Sequence, residues 1–313
     1  MEKYIETANR IVSEVKRVVI GKDEVIIKVL TSILAGGHIL LEDIPGVGKT
    51  TMALAFAKSM SLDYNRLQFT PDVLPSDVTG FTIYNSSKGE FEYKPGAVLC
   101  NLFLADEINR TSSKTQSSLL EVMEEGKVTV DAVSREVKKP FVVIATENPV
   151  GSVGTQKLPE SQLDRFMVCL SMGYPSVESE VNILKNKQKG IDVSDVKAVA
   201  SKEEVIEMID FISTIYIADE IFEYIANLAK ASREHNMLEL GLSPRGTIAL
   251  AALAKANAFM HGRNYVIPND IKEIYYCATD HRIIVNQAGR IAKKSAHDIN
   301  IEVLLSVPVP EIK

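Results

Sequence analysis

Gly46, Gly48, Lys49 and Thr50 are the residue types that grip phosphate. Glycines let backbone N–H groups approach an anion closely. A lysine in that setting reaches terminal phosphates, and a threonine hydroxyl holds Mg2+. The stretch Asp43-Ile44-Pro45-Gly46-Val47-Gly48-Lys49-Thr50 meets the G-x-x-x-x-G-K-[ST] pattern except at its first position, where Asp43 replaces glycine. Pro45, Gly46, Val47, Gly48, Lys49, Thr50 and Thr51 are therefore candidate nucleotide contacts. A second signal is Asp106-Glu107, two acids closing the apolar run 102–105. Beside a phosphate loop, Asp106 completes a Mg2+ shell with Thr50, and Glu107 orients and polarises an attacking water. Asn148 follows the apolar run 141–146, where an amide can bond a γ-phosphate or the lytic water. By chemistry alone, an ordinary turn is the commoner explanation of an Asn before Pro149. Arg165 and Arg245 each read, from the residues alone, as a surface ion-pair partner or a solvated helix start.

These groups need elements that bring them together. The apolar run 38–41 leads into the glycine loop, and residues 51–58 read as the helix after it. The runs 67–69, 99–105, 141–146 and 167–170 read as buried parallel strands with helices between them. Helices are expected over 5–17, from 22 or 23 to 34, and over 113–125. Two hairpins interrupt the alternation. One joins 81–85 to 91–93 across the turn Ser86-Ser87-Lys88-Gly89, and the other joins 127–131 to 135–137. After Leu170 the pattern turns helical. Ser176 can cap a helix to about 187, and Ser201-Lys202-Glu203-Glu204 is a capping box. Further helices are expected near 219–235, 244–261 and 269–279. The expected division is a core over 1–172 and a helical domain over 173–313.

Composition narrows the function. The chain has 313 residues, 46% of them hydrophobic, a net charge of −6 and a pI of about 5.5. An acidic chain is a poor general binder of nucleic acid. Cys100, Cys169 and Cys277 are scattered and show no metal or disulfide spacing. The five histidines show no ligand spacing either. The first residues lack a leader's apolar stretch, and no run reaches the roughly 20 apolar residues of a membrane span. The cytoplasm is the expected compartment.

The motifs together resemble the MoxR-type AAA+ ATPases over nearly the whole chain. The matching stretches are 40–50, Leu104-Ala105-Asp106-Glu107-Ile108-Asn109-Arg110, Lys114-Thr115-Gln116 and Glu124-Glu125-Gly126. Further on they are Ala145-Thr146-Glu147-Asn148-Pro149, Gln162-Leu163-Asp164-Arg165-Phe166, Gly241-Leu242-Ser243-Pro244-Arg245-Gly246 and His281-Arg282-Ile283-Ile284. The resemblance accommodates Asp43. It implies an α/β fold, a P-loop αβα core with a parallel sheet, and a C-terminal all-helical lid. It implies that Asn148 is sensor 1, Arg165 an arginine finger given to the neighbouring subunit, and Arg245 sensor 2. It also implies that Val19, Ile20 and Gly21 line the adenine pocket, and that both hairpins, near 81–93 and 127–137, face a central pore. ATP and Mg2+ are the implied cofactors, in a homo-oligomeric hexameric ring. The implied work is chaperone-like maturation of a client carrying a von Willebrand factor A-type domain, or of a metalloenzyme. The alternatives are the motor of a metal-insertion chelatase, a nucleic-acid-dependent motor, and an ATP-holding switch. The acidic pI opposes the second, and Glu107 with Arg165 opposes the third.

Overall fold

The computed structural model describes residues 1–148 and 158–311; Pro149 lies outside them. Helices Glu2–Lys16 and Asp23–Leu34 precede strand β1 (Ile39–Glu42). The helix after the glycine loop spans Lys49–Ser59. Then come β2 (Tyr64–Gln68), the hairpin β3 (Gly80–Asn85) and β4 (Glu90–Pro95), and β5 (Leu102–Asp106). Helix Ser113–Glu125 leads to the hairpin β6 (Lys127–Val130) and β7 (Val133–Glu136), then β8 (Val142–Glu147) and β9 (Val168–Leu170). Strands β2-β5-β8-β1-β9 form one sheet in that order, every pair parallel.

The expected strands are all present, with bounds shifted by up to three residues. Their continuous apolar character follows from burial on both faces. Ile39, Leu41, Leu104, Ile144 and Val168 point into one apolar cluster; Leu40, Phe103, Val143 and Ala145 point into the other. Helix ends obey local chemistry. The Ser112 hydroxyl accepts the Thr115 N–H, and Gly126 closes that helix in the left-handed region. Ser176, Ser201 and Ser243 cap their helices in the same way.

Residues 171–176, where the two expected domains meet, form neither helix nor strand. Beyond them lie helices Val177–Gln188, Lys202–Ser213, Asp219–Glu234, Pro244–Met260, Pro268–Thr279 and, not expected from the residue pattern, Ala296–Ser306. One short strand pair, β10 (Leu238–Leu240) with β11 (Ile284–Val285), sits among them. Apolar packing is continuous across the junction, from Ile11 and Leu34 to Phe259 and Val303. No helix among the described residues is long and apolar enough to cross a membrane.

The two hairpins lie side by side. The Arg135 guanidinium sits 3.7 Å over the Tyr93 ring, joining β7 to β4. The Tyr93 hydroxyl donates to the Thr79 carbonyl at 2.5 Å. At the base, a Cβ on Gly96 would stand 2.2 Å from the Val78 carbonyl oxygen, so only glycine fits. Just below the polar turn 86–89, Tyr84 and Phe91 pack edge to face and are 59% and 77% exposed.

His38, just before β1, is held neutral. Its Nδ1 accepts the Val143 N–H at 3.0 Å, and Nε2–H donates to the Met123 carbonyl at 3.1 Å. Burial pushes its pKa down to about 4. The unfolded chain takes up this proton near an ordinary histidine pKa of about 6.5. The folded form takes it up only near 4, so this stability is complete above about 6.5 and is lost as pH falls. Urea unfolding across that window is expected to show a shallower pH slope in His38→Gln than in the wild type.

Candidate active site

The parallel sheet delivers the ends of β1, β5 and β8 to one edge. There the glycine loop turns from β1 into helix Lys49–Ser59. Gly46 and Gly48 have φ of +87° and +98°, a region that favours glycine. Lys49 is buried, and its Nζ donates to the Asp43 carbonyl at 2.5 Å. Burial pushes its pKa down, opposed by the charges of Asp43, Asp106 and Glu107.

Asp43 explains its own departure from the glycine pattern. Its carboxylate accepts from Ile44 N–H (2.8 Å), the Ser171 hydroxyl (3.1 Å), and the N–H groups of Met172 and Gly173 (both 2.6 Å). Burial alone would raise its pKa, but these bonds hold the carboxyl below its usual range. No glycine could make these contacts. The acid in a glycine position was itself the clue, but the residue order does not name its partners.

Asp106 ends β5. Its Oδ1 accepts the Thr146 hydroxyl (2.6 Å), and its Oδ2 accepts two donors of Arg66, at 2.6 and 3.1 Å. Thr146 also accepts the Glu107 N–H at 2.8 Å. Glu107 adopts φ +57°, a left-handed backbone unusual for glutamate. Its carboxylate accepts from Arg110 (2.7 Å) and Asn148 (2.9 Å). Burial would raise the pKa of Glu107, but those hydrogen bonds and the Arg110 charge hold it below the usual range. Asn148 is in turn fixed by Asn109, which donates to its carbonyl at 2.9 Å. Arg66, Thr146, Asn109 and Arg110 were not singled out from the residue order as functional groups. Oxygen donors such as Thr50 and Asp106 suit a hard divalent cation. Arg66 already supplies positive charge at the Asp106 carboxylate, as a bound cation would.

Beside Thr51 lies a cavity of about 210 Å3 lined by Val18, Ile20, Ile183, Asn186 and Ile191 among others. Gly21, with φ +70°, packs so closely on helix Val177–Gln188 that a Cβ would stand 2.0 Å from Ser179 Oγ. The cavity's apolar side chains share the lining with Thr51 of the glycine-loop helix and with Asn186, Lys187 and Asp192, a mix that suits a nucleobase.

Arg165 and Arg245 are elsewhere. Met167 N–H bonds the His38 carbonyl, and β9 runs parallel to β1. Arg165 therefore enters at the amino edge of the sheet, at least roughly 13 Å of strand from the glycine loop. The side chains of Arg165 and Arg245 meet there on one carboxylate, that of Glu124. Their backbone is pinned from the helical region. Asp164 accepts from Arg282 (2.9 Å) and from the Ser243 hydroxyl, and Arg282 also donates to the Phe166 and Met167 carbonyls. Thus the structure gathers Lys49, Thr50, Thr51, Asp106, Glu107, Asn148, Ile20 and Gly21 at one end, and sets the two arginines apart.

The arrangement is that of a P-loop nucleotide hydrolase with a helical lid. Residues 38–168 match the ATPase family associated with various cellular activities (AAA), and residues 230–300 match the AAA lid domain. The chain is 33% identical to Chaperone MoxR1 of Mycobacterium tuberculosis, over 98% of this chain and 84% of that one. It is 47% identical to the uncharacterized protein YeaC of Bacillus subtilis, over 96% and 93% of the two chains. A crystal structure from Cytophaga hutchinsonii, provisionally named an ATPase, superposes with a TM-score of 0.92 at 40% identity, over 99% and 96% of the chains. The chain belongs to the MoxR family of AAA+ ATPases.

Thr146 is fully buried between Asp106 and Glu107. Thr146→Val keeps the shape but leaves the part-buried Glu107 N–H and a buried Asp106 carboxylate oxygen without this partner. A loss of about 1–3 kcal/mol in urea unfolding is expected.

Proposed function

We propose that this ATPase hydrolyses Mg·ATP at sites completed between copies of the chain, in a hexameric ring, and uses the cycle to remodel a client protein. One observation carries the reading: the acids and the two arginines lie on opposite edges of one sheet. A head-to-tail ring brings the amino edge of one copy to the phosphate loop of the next.

In this reading the N–H groups of Pro45–Thr51 and the Lys49 ammonium hold the β- and γ-phosphates. Lys49 exchanges the Asp43 carbonyl for phosphate oxygen. Ile20, Gly21 and Thr51 form part of the base pocket. Thr50 and Asp106 hold Mg2+, Arg66 giving up its bond to Asp106; bound there, the cation would neutralise phosphate charge. Glu107, ionised at neutral pH, accepts a hydrogen bond from the attacking water and takes its proton. Asn148 fixes the Glu107 carboxylate and presents its amide to the γ-phosphate side. Arg165 and Arg245 of the adjoining copy meet the charge that develops on the transferred phosphoryl group. Residues 1–172 act as the core and 173–313 as the lid. The chaperone name of the mycobacterial relative and the exposed aromatic pair below the hairpin turn support client handling, with a von Willebrand factor A-type domain as the expected client module. The cytoplasm is the proposed compartment.

Specific ATPase activity is expected to rise with oligomer formation. Glu107→Gln is expected to bind ATP without turnover. Arg165→Ala is expected to lose roughly 10³-fold or more in turnover, the scale of an arginine finger. Mixing it with Lys49→Ala is expected to recover part of the activity, because each copy supplies what the other lacks. Mixed rings with no recovery would rule out completion of the site between copies.

A further inference from the structure

The segment joining the sheet to the helical region is held on both sides of its backbone. Asp43 accepts the N–H groups of Met172 and Gly173, together with the Ser171 hydroxyl. Lys22 Nζ donates to the carbonyls of Met172 (2.5 Å), Gly173 (3.0 Å) and Tyr174 (2.9 Å). Both holding groups carry charge, which makes these bonds strong and orientation-dependent. Gly173, between them, has φ +60° with open space where a Cβ would project. Helix Val177–Gln188 starts three residues beyond Tyr174, and none of its residues is buried. Its other holds lie on the segment before Lys22: Gly21 packs on Ser179, and the Asn186 amide donates to the Arg17 carbonyl at 3.3 Å.

The two holding residues reach opposite ends of the candidate nucleotide site. Lys22 follows Ile20, which lines the base cavity, and Gly21, which packs on Ser179 of the helix beside it. Asp43 grips the segment with its carboxylate while its own carbonyl holds Lys49. A phosphate that draws Lys49 away, and a base that presses on Ile20, therefore act on two anchors of the same short segment.

We propose that Asp43 and Lys22 are positioning residues that couple nucleotide occupancy to the setting of the lid, through the backbone of residues 171–174. This rests on the nucleotide-site reading above. Linked sites in proteins typically shift one another's equilibria by about 5–150-fold. The device converts a local exchange of hydrogen bonds into a rotation about Gly173, because a rigid helix follows directly.

The test is a distance measurement by pulsed electron paramagnetic resonance. Spin labels go on cysteines placed at the exposed positions Glu121, in the core, and Lys185, in the helix after the segment. Full-length protein is compared without nucleotide and with saturating Mg·ATPγS, and nucleotide binding is measured in parallel for each variant. In the wild type, nucleotide is expected to change the ratio of the two lid settings by at least about 5-fold. In Asp43→Gly and in Lys22→Met, the change is expected to fall within about 2-fold of unity at saturation. Lys22→Arg, still a multiple donor, is expected to restore part of it. A merely structural role would lower thermal stability and leave the shift intact. A full shift in Asp43→Gly or Lys22→Met, or no shift in a wild type that binds nucleotide, overturns the proposal. A wild type that binds no nucleotide overturns the site reading instead. If Asp43→Gly does not fold, the Lys22 pair decides.

Discussion

Five strands running in one direction leave all their carboxyl ends at one edge and all their amino ends at the other. Much of the functional geometry follows from that polarity. The loop after β1, the acids after β5 and the amide after β8 converge because adjacent parallel strands end level with one another. The same polarity carries Arg165 away from them, since it precedes β9. Five buried strands also demand cover on both faces, which the helices supply, while the strand lengths set the distance between the two edges.

At the carboxyl edge, the key charges described here already have partners. Lys49 rests on a carbonyl, Asp106 on Arg66 and Thr146, and Glu107 on Arg110 and Asn148. Ligand arrival is thus an exchange of partners rather than the filling of bare charges, which limits the desolvation cost of keeping such a site folded. Glu107 shows where the fold concedes something. Its left-handed backbone costs on the order of 1–3 kcal/mol, and the Thr146 bond to its N–H helps hold it there.

Residue order goes far toward this fold. Alternation and apolar runs locate the five strands, because burial on two faces leaves a strong local mark. Serine caps locate the starts of helices Val177–Gln188 and Lys202–Ser213, because a cap is made within three residues. Long-range partnerships leave no such mark. Asp43 meets residues nearly 130 positions away, and Arg66 meets Asp106 across two strands. Glu124 reads as one more helix-surface acid, yet it gathers Arg165 and Arg245. The strand pair β10–β11 escapes notice for a different reason: it is only two and three residues long, too short to show a period. Motif spacing names the groups that do chemistry at the loop, while the groups that hold them in place emerge only from the fold.

The contact between Arg135 and Tyr93 has a mechanical consequence for the paired hairpins. A lone two-stranded ribbon is a compliant arm that bends under small loads. Two ribbons joined at Arg135 and Tyr93, the first of them rooted where Gly96 crosses Val78 without room for a side chain, form a thicker beam. Bending stiffness rises steeply with thickness, so a load applied at Phe91 is borne at the root by both ribbons and passed into the sheet edge instead of being dissipated at the tip.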